Sequence, residues 1–237
     1  MSENFEILKN LCDKNNIYLD EKAEERFEIY KNLLIEGNKV VNLTAITEPK
    51  EIYIKHFFDS LLFFKAAKVK EKSKIIDVGT GAGFPGLALK IANPDINLTL
   101  LDGLNKRLLF LKEVLEKTGL EAEIVHKRAE EGGRDKKFRE NFDFATARAV
   151  KNMPVLCEYC LPYVKKGGSF IALKGAGGTE ELKAAENAIR QLGGKTDKVL
   201  AENLPEGDKR IIINIKKISQ TSPNFPRDNA KISKKPL

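Results

Sequence analysis

The chain has 237 residues, with 41 Lys and Arg against 34 Asp and Glu, a formal net charge of +7, and 42% apolar positions. No apolar run exceeds four residues, far short of the ~20 that a membrane-spanning helix needs, and the opening MSENFEILKN has neither a basic n-region nor an apolar core. Membrane insertion and secretion are not expected. The three cysteines, Cys12, Cys157 and Cys160, are too few for a disulfide framework, and a reducing cytoplasm is the expected compartment.

The first 70 residues read as helices. From Asp20, a candidate N-cap, Phe27, Tyr30 and Leu34 share one face until Gly37 closes the segment. A second helix starts at Thr47-Glu48-Pro49 and carries Ile52, Phe57, Leu61 and Phe64. After Ser73 short β-rich runs alternate with helical ones, the pattern of βαβ units. Strands are expected at 74–78, 97–101, 122–126, 142–147, 169–173, 198–201 and 210–215. Helices are expected after Pro85, at 104–117 closed by Gly119, at 152–159, and at 179–192 closed by Gly193-Gly194. The fold class is therefore α/β, a seven-stranded, mostly parallel sheet with an N-terminal helical extension.

The positive charge is not evenly spread. Residues 1–70 sum to −1 and residues 71–215 to +3. The final 22 residues sum to +5, with Lys216, Lys217, Arg227, Lys231, Lys234 and Lys235 against Asp228 alone. The organisation read from this is a helical extension over 1–70, a cofactor-binding domain over 71–217 and a basic arm over 218–237. With three prolines and little apolar content the arm is expected to be extended, and its charge suits a phosphate backbone.

The most informative stretch is IIDVGTGAGFPG, where a β-run ends at Asp77 and Val78 and glycines follow at 79, 81 and 83. Glycines permit a tight turn and close ligand approach. The next helix, beginning near Pro85, is expected to turn free N–H groups toward an occupant of the loop. Gly81, Gly83 and Gly86 also satisfy G-x-G-x-x-G with Asp102 some twenty residues on, so spacing alone leaves a nicotinamide dinucleotide open. Asp77 would oppose phosphates but suits a sulfonium or ammonium group. Asp102, at the end of the second strand, can accept from two ribose hydroxyls. S-adenosylmethionine satisfies both acids.

Several segments, in order and spacing, resemble one family. They are NLTAITEPKEIYIKHFFDSL, DVGTGAGFPG, LLDGLNKRLLFL, RAE, FDFATARAV and the FPR…KKPL ending. The chain is similar to the ribosomal RNA small subunit methyltransferase G family, also called glucose-inhibited division protein B. The resemblance implies a class I S-adenosylmethionine-dependent methyltransferase fold and methylation of nitrogen 7 of guanine 527 in 16S rRNA of the small ribosomal subunit. It implies cofactor contacts at Gly79, Phe84, Ala129, Glu130 and Arg148, with Asp102 on the ribose, and the glycine loop adds Gly81 as a further expected contact. RNA contacts are expected from Lys174, Arg227, Lys231, Lys234 and Lys235. The tail departs from the family's pattern, with Asp228-Asn229-Ala230-Lys231-Ile232-Ser233 where a Gly and a Pro are usual.

Attack by guanine nitrogen 7 needs no general base, because that nitrogen carries no proton, so proximity and electrostatics should supply the catalysis. No catalytic residue is singled out. Arg148, which can pair with a carboxylate or a phosphate, and His56, on a helix face with Ser60, are candidates for bordering the guanine pocket. No metal is expected, since Cys157 and Cys160 alone lack a zinc ligand set and read as buried helix residues. A monomer acting on rRNA, on the small subunit or on its assembly intermediate is expected. The rival readings are an NAD-dependent oxidoreductase on the same loop and a non-catalytic rRNA-binding assembly factor on a methyltransferase fold.

Overall fold

A computed structural model describes all 237 residues. Strands β1 (Lys74–Val78), β2 (Asn97–Asp102), β3 (Glu123–His126), β4 (Phe142–Arg148), β5 (Val164–Lys174), β6 (Gly194–Asn203) and β7 (Lys209–Lys217) form one sheet in the order 3-2-1-4-5-7-6. The first five are parallel, while β7 runs antiparallel to both β5 and β6. Strand order reverses between β1 and β4, and the crevice beyond the carboxyl ends of such a pair is where open α/β sheets receive ligands. The expected α/β fold class is the one observed.

The strands carry apolar residues in both directions because both faces are covered. On one face Ile75, Leu98, Leu100, Ile171 and Leu173 pack under α1 (Glu3–Lys14), α2 (Ala23–Asn38), α6 (Gly86–Ala92) and α7 (Asn105–Thr118). On the other, Ile76, Val78, Ala145, Ala147, Phe170 and Ala172 pack under α9 (Met153–Cys160) and α11 (Glu186–Gln191). Cys157 and Cys160 lie within that second layer, fully buried. No helix is long and apolar enough to cross a membrane.

The N-terminal helices share the first core rather than standing apart from the sheet. Tyr30 of α2 stacks on Phe84 of the glycine loop at 5.3 Å and lies against Phe57 and Phe110. Aromatic pairs of this kind add about 0.5–1.5 kcal/mol each beyond their buried area. Pro49 does open a helix, capped by the Glu48 carboxylate, as α3 (Pro49–Glu51). That turn runs into a π-helical segment, Ile52–Phe58, and then α4 (Asp59–Leu61) and α5 (Phe63–Ala66). π-Helical turns recur at functional positions, and this one carries His56.

Several local expectations are corrected. The α2 helix starts at Ala23 and continues through Gly37, with Asp20 accepting from Lys22 N and Arg26 just ahead of it. The 179–192 pattern divides at Ala185 into α10 (Gly178–Ala184) and α11. The RAEEGG stretch forms α8 (Ala129–Arg134). The tail is not an extended arm. Residues Asn229–Lys234 form α12, whose Ile232 is fully buried against the second core. Arg139 holds the preceding segment through the carbonyls of Thr221 and Phe225.

A candidate cofactor and substrate cleft

The loop after β1 is fixed from within. Gly83 has φ +103°, and a Cβ there would lie 2.5 Å from the Tyr30 hydroxyl and 2.8 Å from Leu111; only glycine lets α2 and α7 approach so closely. The Tyr30 hydroxyl donates to the Ala82 carbonyl. Gly79 and Thr80 donate their N–H groups to the Leu101 carbonyl, Gly83 and Phe84 to Thr80 O, and Gly81 to Asp102 Oδ2 at 2.9 Å. The first helix amides, expected to be free, are engaged as well, Gly86 N by Asp77 Oδ2 and Leu87 N by the Gly83 carbonyl.

Asp77 is likewise structural to the loop. It has no exposed surface and lies outside the cleft lining. Its Oδ2 accepts from the Thr80 hydroxyl at 2.7 Å and from Gly86 N at 2.8 Å, while Oδ1 is buried without a partner. Burial pushes its carboxyl up to about 6, against the pull of those two hydrogen bonds. The expected direct facing of a cofactor cation is corrected to a charge beneath the loop.

Above the carboxyl ends of β1, β2 and β4 lies a cleft of about 600 Å³. It brings together Gly79, Gly81, Phe84, Asp102, Ala129, Glu130 and Arg148, all seven expected cofactor contacts, and His56 as well. A larger hollow of about 930 Å³ sits at the other end of the sheet among Lys74, Asn97, Glu123 and Phe142. It lacks the glycine loop and every one of these residues, so chemistry and not size selects the smaller cleft.

Asp102 is 3% exposed, accepting from Gly81 N through one oxygen and from Leu104 N at 2.8 Å through the other. Each carboxylate oxygen retains a second lone pair. On the adjoining wall, the Ala129 carbonyl accepts from the Tyr163 hydroxyl at 2.6 Å, and Glu130 lies buried in the first turn of α8. The far end is closed by Tyr159 and Asn229, whose side chains share a hydrogen bond of 2.5 Å. Sequence reading missed this wall because it treated the tail as an extended arm.

Arg148 is held, not free. Its Nη1 donates to Asp59 Oδ2 at 2.9 Å and to the Lys55 carbonyl at 3.1 Å, Nη2 meets His56 Nδ1 at 3.1 Å, and the guanidinium lies 4.8 Å from the Phe84 ring centre. Asp59 also takes Arg210 Nε at 2.9 Å, so one buried carboxylate serves two guanidiniums and a net positive charge remains. His56 stacks on Phe84 at 4.5 Å, and burial with the neighbouring Arg148 pushes its imidazole down to about 3. It is neutral, and its Nε2 lies 2.7 Å from Thr44 Oγ1. Ser60, expected beside it, donates to the His56 carbonyl.

The expected RNA contacts separate into two groups. Lys174 borders a second, smaller hollow next to the cleft and is paired with Glu181 at 2.8 Å. Arg227 is bound to the buried Glu158 by two parallel hydrogen bonds. Lys231, Lys234 and Lys235 are exposed on and after α12. Sequence reading gave no role to Asp59, which lies in the KHFFDSL segment, or to Arg210, since nothing in spacing alone links positions so far apart.

The family model for rRNA small subunit methyltransferase G matches residues 23–211. The chain is 48% identical over 235 residues to the ribosomal RNA small subunit methyltransferase G of Clostridium perfringens, covering 98% of each. It is 49% identical over 228 residues to that of Lactobacillus acidophilus, covering 94% of this chain and 95% of the other. Among solved structures, a SAM-dependent O-methyltransferase from Thermotoga maritima has a TM-score of 0.51 at 18% identity, over 80% of this chain and 72% of that one. A SAM-dependent methyltransferase from Aquifex aeolicus has a TM-score of 0.51 at 16% identity, over 70% and 93%. These two show the fold alone, that of S-adenosylmethionine-dependent methyltransferases, and the near-full-length matches show more: the chain belongs to the ribosomal RNA small subunit methyltransferase G family.

Proposed function

We propose that the protein methylates nitrogen 7 of guanine 527 in 16S rRNA, with S-adenosylmethionine as its cofactor. The observation that carries the cofactor reading is the glycine loop. Its amides bond within the protein, and an ionised Asp77 lies beneath it. A dinucleotide's phosphates would find negative charge there and few free donors. A cation-bearing cofactor finds a complementary field. Asp102 is suited to hold the ribose and the Ala129–Glu130 turn to read the adenine edge. The cofactor supplies an electrophilic methyl group.

This chain's own residues supply position and charge. His56 is neutral and its two nitrogens are occupied by Arg148 and Thr44, so it is not poised to remove a proton. That suits attack by a lone pair that carries none. Phe84, stacked by His56 and faced by Arg148, offers a rigid wall beside the cleft. Lys231, Lys234 and Lys235 extend a basic surface from the cleft's far end toward phosphate. The protein acts in the cytoplasm as a monomer on the small subunit or its precursor.

Borohydride reduction and aniline cleavage of rRNA, from cells with and without this protein, test the reading. Strand scission at guanine 527 only when the protein is present is the expected result. Scission in both samples, or in neither, overturns it.

A further inference from the structure

Thr44 occupies the cleft rim with its hydroxyl bonded from two sides, and the direction of both bonds follows from chemistry. A guanidinium only donates, so His56 Nδ1, at 3.1 Å from Arg148 Nη2, must accept. The imidazole is neutral, since burial and Arg148 push it down to about 3. Its single proton is therefore on Nε2, which donates to Thr44 Oγ1 at 2.7 Å. Ile46 N donates to the same oxygen at 3.0 Å.

A hydroxyl has two lone pairs and one proton. Both lone pairs of Thr44 are engaged, so its O–H is an obligate donor, and no acceptor within the protein receives it. The oxygen is also well fixed, because Asn38 Oδ1 accepts from the N–H groups of Leu43 and Thr44 at 2.7 and 2.9 Å. Thr44 lines the same cleft as Gly79, Asp102 and Arg148. A fixed group that can only donate selects ligands that present an acceptor there.

Resting on the nitrogen-7 reading, we propose that the Thr44 hydroxyl determines base specificity by donating to O6 of the target guanine, with Arg148 and His56 acting through it as positioning residues. O6 lies beside nitrogen 7 on the same edge of guanine, whereas adenine presents an amino donor at that place. Facing adenine, Thr44 would set donor against donor.

The test uses small subunits assembled from ligated 16S rRNA carrying guanine, hypoxanthine or 2-aminopurine at the target position. Hypoxanthine keeps O6 and 2-aminopurine lacks it. Single-turnover rates are measured for the wild-type protein, Thr44→Val and Thr44→Ser, with the methylated atom located by mass spectrometry of nuclease digests. Thr44→Val is expected to slow guanine and hypoxanthine about 10- to 100-fold, and 2-aminopurine less than about threefold. Thr44→Ser, which keeps the donor, is expected to restore selectivity for the O6-bearing bases. An equal loss on all three bases, or no loss on guanine, overturns the assignment of Thr44 while leaving the methylation reading intact. A wild-type product methylated on another atom overturns that reading and this assignment together.

Discussion

Arg227 closes on Glu158 through a two-pronged ion pair, Nε to Oε1 at 2.9 Å and Nη2 to Oε2 at 2.7 Å, and the Arg227 backbone N–H donates to the same carboxylate at 2.7 Å. Glu158 has no exposed surface. The first cation of the tail's Pro-Arg element is thus a fastener that docks the chain end onto α9. Lys217, pushed down to about 8 by burial, does the same beside Glu140, Thr221 and the Leu161 carbonyl. Two of the tail's six cations are internal.

From this pair comes the first prediction. Arg227→Met leaves a buried carboxylate without its charged partner, a loss on the order of 3–5 kcal/mol. Urea unfolding should show it, and the double variant Arg227→Met with Glu158→Gln should regain much of it because the stranded charge is gone. A single variant as stable as the parent would mean the pair contributes nothing.

Three of the other four cations predict a different signature. Lys231, Lys234 and Lys235 are exposed and make no ion pair within the chain, so Gln at all three should leave stability unchanged. If they meet phosphate, the slope of log affinity for small-subunit rRNA against log salt should shrink by about 2. Removing the whole tail is the poorer experiment, since it would also uncover the core around Ile232.

How much of this was legible beforehand depended on the range of the interaction. The strand positions and the cleft residues were legible because apolar alternation, Gly119 and the glycine run are local signals. The docking of the tail was not, because Ile232 and Arg227 are anchored by α9 residues some seventy positions away and composition alone made the segment look like an extended arm. The Arg148–Asp59–Arg210 group joins three separate segments and has no local signature. The free amides expected of the helix start failed because Asp77, at the end of the preceding strand, turns back beneath the loop to accept from Gly86 N.

Asp102 performs two tasks, and two measurements read them. Its carboxylate holds Gly81 N and Leu104 N, and its remaining lone pairs serve the ribose in the proposed complex. Asp102→Asn keeps one acceptor oxygen, loses the charge and turns an NH2 donor toward the N–H of Gly81 or Leu104. S-adenosylmethionine affinity by calorimetry should fall about 10- to 100-fold, as expected for a hydrogen bond to a charged group, while the one backbone bond lost should lower stability by about 1–3 kcal/mol in urea unfolding. An unchanged affinity would remove Asp102 from the ribose site.

Asp77 makes the clearest pH prediction. Its carboxyl is raised from 3.8 to about 6 in the folded protein, chiefly by burial. Between those values the native state binds more protons than the unfolded one, so this group's stabilising contribution is complete below about pH 4 and is lost as pH rises through about 6. The loss is on the order of 3 kcal/mol. His56, depressed to about 3, acts with the opposite sign over an overlapping range, and subtracting the Asp77→Asn curve from the parent isolates Asp77. The variant should gain stability relative to the parent from pH 4 to 7 and hold that gain above it. It should also bind S-adenosylmethionine more weakly at neutral pH, because the charge that opposes folding is the one that complements a cationic cofactor. A flat difference curve with unaltered cofactor affinity would show that Asp77 neither titrates in this window nor contributes to the field of the cleft.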